Sequence, residues 1–438
     1  RPRWSPRRAG PGGGGGARPP PGGGGGGRGG AGAGGGAGPR VLTAGAIRET
    51  RSGGTEPGRV LPATGTAYRE TLGTNRHDVG ALWQTLAGRS VVTVRAAFAS
   101  RRHDHRFGEV LERDRHVTGF AEVAVRRAAG RHTWVAGAAV EHEAYRPTEL
   151  PRFEYAFTTP GLFVQDDIDV RPWLALSLSG RLDRHSEYGW FFSPRVSALL
   201  RSGAWSTRLS AGTGFFGPTP LTEEVEAAGL SRLTVEGPLR AERGRSVSID
   251  LTRTLGPAAV TATLFASRIV DPVHVERATY TLRNLDDPTT NVGTELLGTF
   301  RKAPFAVTAS YTYVRSREQA GGVPGDVPQT PRHSLGLVAM AENDDGRVGF
   351  EVYYTGRQRL EANPYRDISE PYTVIGVLLE RRVRALRLFV NLENLTDVRQ
   401  HRWDPVLRPS RAPDGRWTVD AWAPLDGRVI NGGVRVQF

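Results

Sequence analysis

The 438-residue sequence has no cysteine. Disulfides, thiolate catalysis and cysteine-based zinc sites are therefore excluded together, and only histidine and carboxylate could bind a metal. No run of about 18 apolar residues occurs, which excludes a membrane-crossing helix. A membrane barrel is not touched by that argument, because its strands turn one face to a polar lumen and average hydropathy stays low. Mean hydropathy here is -0.38, with 38% hydrophobic residues. Lysine is almost missing: Lys302 is the single one among 58 basic residues. With Gly, Ala and Pro also abundant, this arginine excess reads as coding bias rather than chemistry. Long helical periodicity is absent. So are the GxSxG, HExxH and Walker patterns. No enzyme activity, catalytic residue, metal site or cofactor is read from the sequence.

The net charge of +13 suggests nucleic acid as a partner, but seven arginines and no acid lie in residues 1–40, which leaves +6 for the rest. Those forty residues are Gly/Pro/Arg-rich with almost nothing to bury, and disorder is expected there. Trp4 is the only ring that could stack on a base, so no nucleic-acid binding is expected. The chain opens at Arg1 without the charged start and apolar stretch of a signal peptide. An exported protein would have lost its leader, or the sequence is a fragment.

From residue 41 to 438 the period is two. In WLALSLSGRLD, Leu174, Leu176, Leu178 and Leu182 share one face, with Ser177, Ser179, Arg181 and Asp183 on the other. RSVSIDL, VTATLFA, FAVTASYTY and VGFEVYY split in the same way. Alternation alone suits a soluble sandwich as well. The connections decide, because they alternate in length. Tight turns are expected near residues 87–89, 129–131, 171–172, 202–203, 256–257, 301–302, 344–345 and 383. Long polar loops are expected at 51–77, 101–116, 146–159, 185–191, 214–243, 271–289, 318–330, 357–370 and 398–427. All the tight turns then lie at one end of the strands and all the long loops at the other, as in an outer-membrane barrel. About eighteen strands are expected, most of roughly 9 to 13 residues, enough for a tilted membrane strand, which needs about 9 to 11. Hydrocarbon offers edge amides no partner, so the last strand, RVINGGVRVQF, is expected to close a seam.

Several runs together resemble the barrel half of TonB-dependent receptors: APLDGRVINGGVRVQF, LFVNLENLTDVRQ, SPRVSALLR, RLSAGTGFF, PTPLTEE, NVGTELLG, ASYTYVRS and VPQTPRHSLG. The resemblance covers roughly residues 41–438. It implies an all-β, transmembrane, antiparallel up-and-down β-barrel of 22 strands, of which about 18 are present, in the bacterial outer membrane. It implies a plug domain before the barrel, missing from this chain, and TonB-energised uptake of a scarce solute such as a ferric siderophore or similar chelate. The implied partners are the TonB complex, outer-membrane lipid and lipopolysaccharide, and a small-molecule or metal-chelate ligand. Val434, Val436 and Phe438 look like the signal read by the barrel-assembly machinery.

External loops carry the candidate ligand-binding residues. RRHDHRFGE places Arg101, Arg102, His103, His105 and Arg106 together; alternate residues of an extended chain point the same way, so His103 and His105 could share a metal or grip an anionic chelate with the arginines. TGFFGPTP offers Phe215 and Phe216, and GRQRLEANPYRDISEP offers Arg357, Arg359, Tyr365 and Arg366. Cations and rings suit an aromatic, anionic ligand. The bland alternative is lipopolysaccharide contact or loop packing. Asp166 and Asp167 are adjacent on a strand, face opposite sides and cannot act as an acid/base pair. Asn391, Glu393 and Asn394 are expected as lumenal or rim hydrogen bonders. The competing functions are a passive porin and an outer-membrane barrel enzyme such as a lipase or protease, with an adhesin further off.

Overall fold

The computed structural model describes residues 37–55, 67–222, 229–408 and 418–436. The first strands are β1 (Ala37–Gly54), β2 (Arg69–Ala87), β3 (Ser90–Phe107), β4 (Val110–Ala129) and β5 (His132–Pro147). Next come β6 (Tyr155–Arg171), β7 (Leu174–His185), β8 (Gly189–Ser202), β9 (Trp205–Phe216), β10 (Thr234–Val235) and β11 (Glu242–Leu255). They are followed by β12 (Ala258–Val270), β13 (Val273–Glu276), β14 (Thr281–Asn284), β15 (Thr289–Lys302), β16 (Phe305–Ala320) and β17 (Val323–Asp326). The last are β18 (His333–Asn343), β19 (Gly346–Thr355), β20 (Tyr372–Val383), β21 (Leu386–Glu393) and β22 (Val429–Val436).

Nineteen of these strands form one antiparallel up-and-down sheet, the wall of a β-barrel. Setting aside β17, a four-residue addition to the end of β16, eighteen strands make the meander, in agreement with the alternation of the sequence. Among the described residues no pairing joins β1 to β22. The strand β1 takes in residues 37–40, so the boundary expected at residue 40 falls inside it. The rest of the expected tail lies outside the described residues.

Each side chain's direction follows from register. The row Leu251, Ala262, Leu296, Tyr311, Leu335 and Tyr354 crosses six strands on one face. Its companion row contains Leu209, Ile249 and Leu264. These side chains stand out from the wall: Val247, Ile249 and Leu264 are 55, 48 and 58% exposed. A greasy outer belt of this kind is what lipid would cover. Ile430, Val434 and Val436 of β22 belong to the same outward face, while Phe438 lies outside the described residues.

All eight expected tight turns are present, at one end of the barrel. Four of them start on glycine at positive φ (Gly88, Gly130, Gly203 and Gly256, φ 57–62°), which a two-residue type II′ turn requires at its first position. At the other end two expected long loops are corrected. Residues 101–116 form no loop: β3 and β4 continue outward and join through Gly108 and Glu109, with Gly108 at φ 62°. Residues 185–191 shrink to a three-residue connection, since β7 runs to His185 and β8 starts at Gly189.

Candidate ligand-binding mouth

The remaining long connections fold over the loop end of the barrel and pack on one another. Leu230, Leu233, Tyr280, Leu282 and Val275, from the segments between β9 and β15, form a buried cluster with Phe153, Tyr145 and Tyr155. Glu112 fixes this cap to the wall by accepting the amides of Leu230 and Ser231, both at 2.8 Å. Gly229, at φ 89°, allows the close approach, since a Cβ there would stand 2.8 Å from that carboxylate. Beneath the cap runs a series of rings. Tyr145 stacks on Tyr155, Tyr155 on Phe157, Phe157 meets His185, and His185 meets Tyr188 and Phe215. Tyr145, Tyr155, Phe157 and His185 come from inward positions of β5, β6 and β7, Tyr188 from the connection before β8, and Phe215 from the end of β9.

The segment 101–107 divides between two faces, as a strand must. Arg101, His103 and His105 point inward; Arg102 and Arg106 point outward, on the face of Phe98. The five do not converge. Arg101 approaches His116 Nδ1 at 3.1 Å, and His116 Nε2 lies 2.9 Å from Glu143, which also accepts the Tyr155 hydroxyl at 2.6 Å. His103 faces Asp114 at 3.5 Å, and His105 meets Glu70 at 3.0 Å. Each histidine has its own carboxylate, and among the described residues no group of metal-ligating side chains could hold an ion.

Phe215 stacks on Phe191, ring centroids 3.8 Å apart, whereas the neighbouring Phe216 is 58% exposed. Arg366 is used up in a loop-to-loop clamp: its guanidinium binds Asp404 through two nitrogens, reaches Glu370 at 3.0 Å and lies over the Trp422 ring. Tyr365 donates its hydroxyl to the Leu407 carbonyl in the same clamp. Arg359 is exposed and reaches the Asp326 carbonyl at 3.0 Å; Arg357 is exposed on the same loop. The two adjacent aspartates behave as strand geometry demands. Asp166 binds His132 on the outer face and Asp167 accepts from Ser177 on the inner face. Glu393 accepts from Asn391 and Asn431, both at 2.8 Å, and Asn394 bonds the Val398 and Asp426 carbonyls.

One charged group at the mouth has no counterpart in the sequence reading. His274 on β13 lies between Glu318 (3.9 Å) and Glu361 (3.6 Å), and Arg277 joins Glu361 to Asp420 (2.5 Å). Four separate segments meet there. The contact with Glu361 holds His274 above its ordinary value, against the effect of burial. Burial pushes Glu318 up. It also acts upward on Glu361, but His274 and Arg277 outweigh it and hold that carboxyl below the usual range. No sequence signal marked His274, which sits on a four-residue strand inside a loop.

An up-and-down wall of eighteen meander strands, tight turns at one end and a folded cap at the other, matches one family along most of the chain. Residues 13–395 match the family described as TonB dependent receptor-like, beta-barrel. The chain belongs to that family. Among solved structures it is similar to a ferric enterobactin receptor of Pseudomonas aeruginosa (14% identity, TM-score 0.64), covering 85% of this chain and 62% of that one. The FrpB iron transporter of Neisseria meningitidis is similar at 13% identity and TM-score 0.66, over 90% of this chain and 68% of that one. The ferric-catecholate import receptor Fiu of E. coli K12 is similar at 13% identity and TM-score 0.64, over 91% and 72%. This chain thus spans less than two thirds of the first of these receptors. No curated protein matches.

Proposed function

We propose that this TonB-dependent receptor barrel resides in the bacterial outer membrane and takes part in TonB-energised uptake of a ferric complex of an anionic, aromatic chelator. The observation that carries the ligand class is the character of the side chains left open at the mouth. Phe216 and Arg357 are an exposed ring and an exposed guanidinium, suited to stacking on an aromatic anion and pairing with its charge, and the exposed Arg359 beside them spends one donor on the Asp326 carbonyl. Arg101, His103, His105, Tyr365 and Arg366 support the mouth through the contacts described above. Lipopolysaccharide and outer-leaflet lipid surround the wall, and Val434, Val436 and Phe438 serve as the assembly signal. The structural relatives named for iron and ferric catecholates support this ligand class.

The test is binding of a ferric catecholate complex to the refolded chain, followed by quenching of tryptophan fluorescence. Binding is expected to weaken at least about tenfold in the Phe216→Ala, Arg357→Ala double variant, since a ring contact and a charge-assisted bond are lost. In iron-starved cells, uptake by the complete receptor is expected to require TonB. Free passage of neutral sugars through liposomes, with no ferric catecholate bound, would establish the porin reading instead.

A further inference from the structure

On the outward face of β11, Arg245 stands directly across from Arg268 of β12, and in the same row Thr290 leads on to Arg317 of β16. Arg315 lies two residues from Arg317 on the same face. All four arginines are exposed. Among the described residues none has an ion pair or side-chain hydrogen bond. Like charges directly opposite in a sheet are destabilising. A second outward row, Arg102, Arg115 and Arg146, is built differently, because Glu154 holds Arg146 at 3.2 Å and Asp104 shares the face. In the β11–β16 row the one acid is Asp326 of β17, across from Arg317 and already paired with Arg332 at 2.7 Å, so no carboxylate faces Arg245 or Arg268.

Directly below Arg245 and Arg268 the outer wall is dented. The shallow concavity, of about 1180 Å³, extends from β5 to β12 with these two arginines at its upper edge. Its floor includes small or ring-closed residues at outward positions, Gly180, Pro194, Ala211 and Ala266, with Val247 between the two alanines and the larger Leu182 and Phe192 paired alongside. The lining is almost wholly apolar. An apolar trough capped by two uncompensated guanidiniums, with two more beside it, matches an amphiphile that carries anionic oxygens on its head and acyl chains beneath. The arginines lie toward the loop end, which on the outer-membrane reading above, on which this inference rests, is the outer leaflet.

We infer that this face is the seat of one phosphorylated glycolipid of the outer leaflet, its phosphates between Arg245 and Arg268 and within reach of Arg315 and Arg317. One acyl chain lies in the trough over Ala211 and Ala266. Guanidinium suits this role because its planar fork binds phosphate oxygens in pairs. A bound phosphate also relieves the repulsion within the row.

Native mass spectrometry of the full refolded chain in detergent tests the assignment, with diphosphorylated lipid A, its dephosphorylated form and inorganic phosphate as probes. Diphosphorylated lipid A is expected to stay bound, and the dephosphorylated form to bind at least about tenfold more weakly. The Arg245→Gln, Arg268→Gln double variant is expected to lose the same factor. Ala211→Phe, which fills the trough and leaves the charge alone, is expected to weaken lipid A. Arg381→Gln, an exposed outward arginine at the turn end, is expected to change nothing. Equal binding of both lipid forms, or wild-type binding by the double arginine variant, would overturn the inference. So would retention of inorganic phosphate as strong as that of lipid A. Heat-modifiable gel migration on the same samples separates the two levels of the argument. A folded barrel without lipid A removes this site only; a chain that never inserts into bilayers removes the outer-membrane reading beneath it.

Discussion

The wall and the mouth of this protein are assembled by opposite rules. In the wall, a residue's surroundings are fixed by its neighbours two positions away and by a register that each tight turn sets. Leu264 faces outward because Ala262 and Ala266 do, and it meets Ile249 because the turn at Gly256 is two residues long. In the mouth, partners come from remote segments. Gln400 accepts from the Trp422 amide at 2.8 Å and donates to the Asp420 carbonyl, and Glu112 binds residues more than a hundred positions later. Local sequence therefore carries the wall, and only the folded chain carries the mouth.

The largest test breaks the wall on one face and spares the other. Leu264→Arg places a charge in the middle of the apolar belt and is expected to cost about 2–4 kcal/mol of stability in lipid. Thr263→Arg, one residue away, turns toward the lumen beside Asp250, whose carboxylate now accepts the Thr263 hydroxyl at 2.7 Å. Its cost is expected to stay below about 1 kcal/mol, because the guanidinium remains in the polar lumen and buries no unpaired charge. Denaturant titration of the refolded protein in vesicles reads both. Equal costs would mean that the two faces are not lipid and lumen.

A smaller loss is expected from the mouth, and it should stay there. Gln400 is fully buried, with its amide satisfied by three backbone groups. Gln400→Leu strands those groups and is expected to cost about 1–3 kcal/mol. Hydrogen exchange should show lost protection at Trp422 and Ala423 with the wall strands unchanged. Loss of protection in β20 or β21 as well would show that wall and mouth unfold as one unit.

The charged group around His274 sharpens the comparison through pH. Its raised value means that stability from the Glu361 contact is fully present below the ordinary histidine value of 6.5 and is lost as pH rises through the higher folded value. The lowered value of Glu361 gives the mirror case, with stability present above its ordinary 4.5 and lost as pH falls through the folded value. Glu318, raised by burial, favours the acidic side. Facing His274 are Glu318 from β16, Glu361 from the loop after β19 and Glu276 on its own strand, with Arg277 and Arg359 close by. The mouth is thus held most firmly between pH 4.5 and 6.5 and loosens above that window. Exchange protection of Val273–Glu276 across that range is the measurement, and His274→Gln should flatten its alkaline side. A wild-type profile already flat above pH 6.5 would remove His274 as the cause.

These contrasts explain what the sequence made legible. Eight tight turns and eighteen meander strands followed from alternation and turn chemistry, both of which act over a few residues. The error at residues 101–116 came from giving polarity more weight than turn chemistry. Phe107–Gly108–Glu109–Val110 has the same Gly-first turn as Ala87–Gly88–Arg89–Ser90, and alternation continues through His103 and His105. Once read as a strand, that segment must send Arg102 and Arg106 away from Arg101. The clamp of Arg366 on Asp404, and the meeting of His274 with Glu361, span loops whose relative placement no local pattern encodes. Arginine in a loop looked the same on paper whether paired or open.

The finest test lies within one dipeptide. Phe215 is stacked face to face on Phe191 with 5° between the rings, so Phe215→Ala removes a packed aromatic pair worth about 0.5–1.5 kcal/mol beyond its area. Phe216 is exposed, so Phe216→Ala is expected to change stability by less than about 0.5 kcal/mol. Denaturant midpoints should therefore separate two neighbouring phenylalanines of identical chemistry. Ligand binding should separate them in the other direction, because the open ring is free to stack on an aromatic chelate and the packed ring is engaged with Phe191. If Phe216→Ala left ferric catecholate binding unchanged while Phe215→Ala weakened it, recognition would belong to the ring series under the cap, and that cap would have to lift before the ligand could enter.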